Sequence, residues 1–113
     1  MAAINEGDRL VVIDRRHFRE DNMRVFVGVV EECDNTLVCA RGYSFHISAY
    51  ELSGMERRGD ERLRVIAITG GDIIYKLPRD QDINRLQLKR SPKSMMLTDG
   101  IFAMDLSDFM LRG

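Results

Sequence analysis

The run Val65-Ile-Ala-Ile-Thr-Gly-Gly-Asp-Ile-Ile-Tyr-Lys-Leu-Pro78 sets two short, nearly all-apolar segments on either side of a Thr-Gly-Gly-Asp turn. β-Branched side chains suit a pleated surface, and glycine with aspartate supplies turn geometry. The run therefore predicts two strands, Val65 to Ile68 and Ile73 to Leu77, joined tightly. Pro78 has no N–H to donate and ends the second strand or leaves it at an edge. A strand with one wet face alternates apolar with polar residues. These two do not, which predicts cover on both of their faces. In a chain of 113 residues, one natural cover is a second copy of the chain.

That length supports one core and not two. A formal net charge of -1, with 31% charged residues, rules out an overall polyanion-binding surface and leaves only a local patch for nucleic acid. A hydrophobic content of 44% belongs to a folded chain. The sequence has neither a basic start followed by an apolar run nor an apolar run of membrane-spanning length, so the expectation is a cytoplasmic protein without a membrane partner. Cys33 and Cys39 flank a turn at Asp34-Asn35-Thr36. With Asn35 and Thr36 central, Cys33 stands opposite Val38 and the two thiols fall on opposite faces, which predicts two isolated thiols and no disulfide.

Before the first-named run, Glu6-Gly-Asp8 reads as a turn into a strand over Arg9 to Asp14. Arg15 to Asn22 is a charged loop. Its three arginines with His17 and Phe18 suit phosphate and a stacked base, and with Glu20 and Asp21 they equally suit a solvated loop. Arg24 to Glu32 is the clearest strand, with Val25, Val27 and Val29 on one face and Phe26 and Val30 on the other. Gly28 in its middle fits the sharp bend of a small closed barrel. Thr36 to Ile47 continues as a third strand, with a bulge or kink at Gly42. Ser48 to Arg62 reads as an exposed loop. Beyond Pro78 the sequence predicts a polar linker from Arg79 to Asn84, a short strand over Leu86 to Lys89, and a hairpin of Ser94–Thr98 with Ile101–Leu106 about a two-residue Asp99-Gly100 turn. Ser107 to Gly113 is a helical turn or a docked tail. The class is all-β, with a barrel over 1–78 and a C-terminal extension carrying the hairpin over 79–113, packed on the same domain.

Nothing points to catalysis. His17 and His46 have no metal-ligand or triad spacing, and Gly70-Gly71 lacks the Lys and Ser/Thr of a phosphate-binding loop, so no catalytic residue, metal or cofactor is expected. Asp34, Asn35, Thr69, Gly70 and Asp72 can read bases with short side chains and backbone N–H groups, and they are also what tight turns require. Arg41, Arg57, Arg58, Arg62 and Arg64 offer a basic rim, largely offset by Glu56, Asp60 and Glu61.

Two blocks in order resemble the motifs of the Sm/LSm family of small barrels: Gly28-Val-Val-Glu-Glu-Cys-Asp34-Asn35-Thr-Leu37 and Ile68-Thr-Gly70-Gly-Asp72-Ile-Ile-Tyr75. The likeness spans Asp8 to about Pro78. It lacks the Tyr-Lys-His of the bacterial branch, having Tyr75-Lys76-Leu77. It implies a strongly bent five-stranded Sm-like barrel whose fourth and fifth strands pair between neighbouring subunits, closing a homo-oligomeric ring of roughly five to seven copies. Val65, Ala67, Ile73, Ile74 and Tyr75 would form the subunit contact. Single-stranded RNA would meet Asp34, Asn35, Thr69, Gly70 and Asp72 in the ring hole. The alternative is an oligomeric scaffold or protein-interaction module without RNA.

Overall fold

The computed structural model describes residues 4–14, 23–47, 54–56, 59–68, 70, 72–91 and 94–107. They form nine strands and one 3₁₀ turn: β1 (Arg9–Ile13), β2 (Met23–Cys33), β3 (Leu37–Ile47), β4 (Gly54–Glu56), β5 (Arg62–Ala67), β6 (Ile73–Leu77), the turn Ile83–Arg85, β7 (Gln87–Arg90), β8 (Met95–Thr98) and β9 (Ala103–Asp105). The all-β class is as the sequence predicts. Two sheets are present, of order β5-β3-β2-β1-β6 and β4-β7-β8-β9, and every pairing is antiparallel. In the first sheet β5 and β6 stand at the two ends and do not pair with each other, so the sheet is open and not a closed barrel.

That sheet is nonetheless strongly bent. Flat, it would hold β5 and β1 about 14 Å apart, with side chains standing parallel. Instead Arg64 of β5 donates from Nη2 to Oδ1 of Asp14, just past β1, at 2.8 Å. Ile66 of β5 packs in one cluster with Leu10 and Val12 of β1, and Ile74 of β6 lies against it. Gly28 and Gly42 oppose each other across β2 and β3. A Cβ on Gly42 would lie 1.8 Å from the Val27 carbonyl oxygen, and one on Gly28 would lie 2.7 Å from the Phe26 ring. Only glycine lets the backbones and that ring approach so closely. The register shift lies between Val30 and Glu32 of β2, where Glu31 has no partner, and not at Gly42.

The period of two sorts the apolar residues as the sequence predicts. Val25 and Val27 join Val11, Ile13 and Phe45 on the convex face. Phe26 and Val30 join Leu10, Val12, Val38 and Ala40 on the concave one. The second sheet covers part of the convex face with Leu88, Met95 and Leu97, helped by Ile83, Leu86 and Leu106. Cys33 stands opposite Val38, and both cysteines are free.

Three expectations change. The stretch from Arg79 to Asn84 is no linker: Gln81 and Ile83 are buried, and Gln81 Nε2 donates to Asp99 Oδ2 at 3.0 Å. Its polar composition conceals one apolar anchor, Ile83, with Leu86 buried just beyond it. The loop predicted over Ser48 to Arg62 contains β4, which pairs with β7 and completes the second sheet. The late hairpin closes at the pair Thr98–Ala103 with four residues between, not two. Its turn is held by Asp99 Oδ1, which accepts from the N–H groups of Ile101 and Phe102 at 2.9 and 2.7 Å. That side-chain clasp spans a longer loop than an Asp-Gly dipeptide alone would close. Residues 108–113 of the predicted helical turn or docked tail, with its apolar Phe109, Met110 and Leu111, lie outside the described residues.

Candidate functional site

Two turns distant in sequence meet at one end of the bent sheet. The β2–β3 turn is closed by the Asp34 N–H donating to Leu37 O at 3.0 Å. In the same turn Asp34 Oδ1 accepts from the N–H groups of Thr36 and Leu37 at 2.7 and 2.8 Å, and from Thr36 Oγ1 at 3.0 Å. The β5–β6 turn begins with the Gly70 N–H donating to Ala67 O at 3.0 Å. Ile68 N then donates to Thr36 O at 2.9 Å, prolonging the β3–β5 ladder past its last pair, Leu37–Ala67. The structure thereby brings the turn that holds Asp34 and Asn35 and the turn that holds Gly70 to the same end of the sheet. Asp72 is half-buried next to Ile73, which pairs with Ile13. Thr69 lies outside the described residues, as do the Arg15–Asn22 loop, Arg57 and Arg58.

The electrostatics of the first turn are those of a clasp. The N–H of Leu37, then that of Thr36, hold the Asp34 carboxyl below its ordinary range. The same construction recurs at Asp99, whose N–H donates to Phe102 O at 3.2 Å and whose Oδ1 accepts two backbone N–H groups. There the Gln81 side chain and those N–H groups lower the carboxyl. One motif thus serves a turn at the candidate site and a turn far from it. Asn35 is exposed, and its amide makes no hydrogen bond among the described residues.

The proposed contact residues occupy the two ends of the first sheet. Val65 is 60% exposed and Tyr75 39%, and Ala67 and Ile73 are exposed too. Ile74 differs: it is half-buried against its own chain's concave core. Leu37 and Leu63 extend the apolar surface beside Val65. Both faces of β5 and β6 were expected to be covered, and within one chain they are not.

Of the basic rim, Arg41 is paired with Glu31 at 2.7 Å, while Arg62 and Arg64 sit toward the other end of the strands, where Arg24 joins them. Sequence reasoning missed Arg24 and Asp14, because their meeting with Arg64 depends on the bend. It missed Asp8 as well. That carboxylate is buried, accepts from Asn5 N at 2.8 Å, and pairs with Arg79 at 2.7 Å and Lys76 at 3.3 Å. It ties the start of β1 to the end of β6.

Among the described residues no three His, Cys, Asp or Glu side chains could together hold a metal ion, and no helix is long and apolar enough to cross a membrane. No protein-family model, curated protein or solved structure matches the chain.

Proposed function

We propose that this chain is a Sm-like protein that assembles into a homo-oligomeric ring and binds single-stranded RNA through the joined turns at Asp34–Thr36 and Ile68–Asp72. The observation that carries the reading is the Ile68–Thr36 hydrogen bond, which sets the two resembling blocks side by side at one end of a bent five-stranded sheet. The free outer sides of β5 and β6, each with exposed apolar residues, are complementary in kind: pairing them head to tail between copies removes both edges at once. In such a ring the turns of successive copies would recur around the hole. The Asn35 amide, the Gly70 carbonyl and Asp34 Oδ2 are the groups left to read a base, since the Gly70 N–H and Asp34 Oδ1 are occupied by their own turns.

A second reading, a ring that binds protein or only itself, is favoured by the saturated Asp34 oxygen and by the lack of a described arginine or lysine in either turn. Fluorescence anisotropy with oligo-U and oligo-A at two salt concentrations, on protein freed of nucleic acid and sized by light scattering, separates them. RNA binding should weaken steeply with salt, and Asn35→Ala should weaken it without changing the mass. An intact ring indifferent to RNA at low salt supports the scaffold.

A further inference from the structure

At the end of the strands away from the two turns, the concave face opens into a cavity of about 430 Å³. The registers explain what lines it. Directly opposed residues of an antiparallel pair share a face, so Arg24 with His46, Phe26 with Ser44, Arg62 with Gly42 and Arg64 with Ala40 all project inward. The Phe26 ring is buried beneath, with the Arg64 guanidinium carbon 5.5 Å from its centroid. Leu63 and the chain at Gly59 and Asp60 complete the rim.

Among the described residues the charge here is not balanced. Asp14 alone serves two guanidinium groups, taking Arg64 at 2.8 Å and Arg24 at 3.6 Å. Arg62 has no ion-pair partner among the described residues. Among the described residues that line the cavity or pair with its lining, three arginines stand against two carboxylates, Asp14 and Asp60, with His46 beside them. Arg64 Nη1 is buried and donates to nothing, although a buried cationic donor without an acceptor is costly. Nη2 and the ring fix the plane of this guanidinium, and the Arg64 side chain lines the cavity.

We propose that this cavity binds the phosphate of a small phosphomonoester, with Arg62 and Arg64 as its principal ligands. A guanidinium fork matches phosphate oxygens. A dianionic tetrahedral group offers enough oxygens for donors arriving from different strands, which a carboxylate does not. The volume, within the usual range of small-ligand sites, leaves space for the body of the ester against Phe26 and Ser44. This site is separate from the RNA reading, and Asn35→Ala should leave it unaltered.

Titration calorimetry of the full chain with adenosine monophosphate as the probe tests it, with adenosine and citrate as controls. The expected result is saturable binding of the phosphomonoester, none of adenosine, and markedly weaker binding of citrate. Arg64→Gln and the exposed Arg62→Gln should each weaken binding about tenfold. If Arg64→Gln does not fold, Arg62→Gln alone decides. Absence of saturable phosphomonoester binding at millimolar concentration and low salt, unchanged affinity in Arg62→Gln, or citrate binding as tightly overturns the assignment.

Discussion

β1 and the pair β5 and β6 are written in nearly the same alphabet and meet opposite fates. Leu10, Val11, Val12 and Ile13 of β1 are all buried, whereas Leu63, Val65, Ile73 and Tyr75 of the other two are exposed. The cause is position. β1 lies between β2 and β6, with the curled sheet over one face and the second sheet against part of the other. β5 and β6 each have one neighbour, and the second sheet reaches only Leu77 at the end of β6. Loss of alternation therefore reports that a strand is fit to be covered on both faces, and leaves open whether its own chain does the covering.

The contrast is broken most directly from the centre. Val12 is fully buried in the concave cluster, and Val12→Asp places an unpaired carboxylate there, at a cost of about 4 kcal/mol or more. Loss of the cooperative melt by circular dichroism is expected. A variant that melts within a few degrees of the parent would mean that β1 is not the centre of the fold. Gly42→Ala tests the close approach of β2 and β3. Its Cβ has no space against the Val27 carbonyl, and a loss of about 3 kcal/mol in denaturant unfolding is expected.

Asp8 is the tie between the buried strand and the free one. Asp8→Asn keeps the shape but leaves Arg79 and Lys76 facing an amide, with an expected loss of about 2 kcal/mol at neutral pH. The N–H of Asn5, with Lys76 and Arg79, lowers the Asp8 carboxyl below its ordinary value. A carboxyl lowered on folding stabilises the protein above its unfolded pKa, near 3.9, and that contribution is lost as pH falls through the lower folded value. The parent should therefore lose stability on acidification below about pH 4 more steeply than Asp8→Asn. Parallel acid limbs would remove Asp8 from the tie.

What the sequence disclosed follows the range of the forces involved. Val25 to Val30 sorted onto two faces because alternation is local. The opposition of Cys33 and Val38 was legible because a short turn fixes its own register. The turn at Asp34 was equally visible, but its function was not: Asp99 shows the same carboxylate clasp, so Asp, Asn and Gly in a turn carry little information about a ligand. The pairing of β4 with β7 and the meeting of Arg24, Arg64 and Asp14 join residues brought together only by the curl and by the second sheet. No window of sequence contains them. The segment from Arg79 to Asn84 was misread because two buried side chains in a polar run make too weak a period.

The mildest change to the chain itself is at the exposed ends, and it sharpens the contrast most. Val65→Lys places a charge where the side chain is already mostly in water and should alter monomer stability by less than about 0.5 kcal/mol, and Tyr75→Lys, at a side chain 39% exposed, by about 1 kcal/mol. Ile74 is the wrong site for this purpose, since a charge there would disturb the chain's own core as well as any contact. If copies pair β5 to β6, the lysines of neighbouring chains bury like charges at one seam, and light scattering should fall from the mass of a ring to that of one chain while the melt is preserved. Retained mass would move the contact to another surface. A parent that is already monomeric would leave β5 and β6 as open edges, and the resemblance between their composition and that of β1 would then reflect strand propensity alone and not a partner.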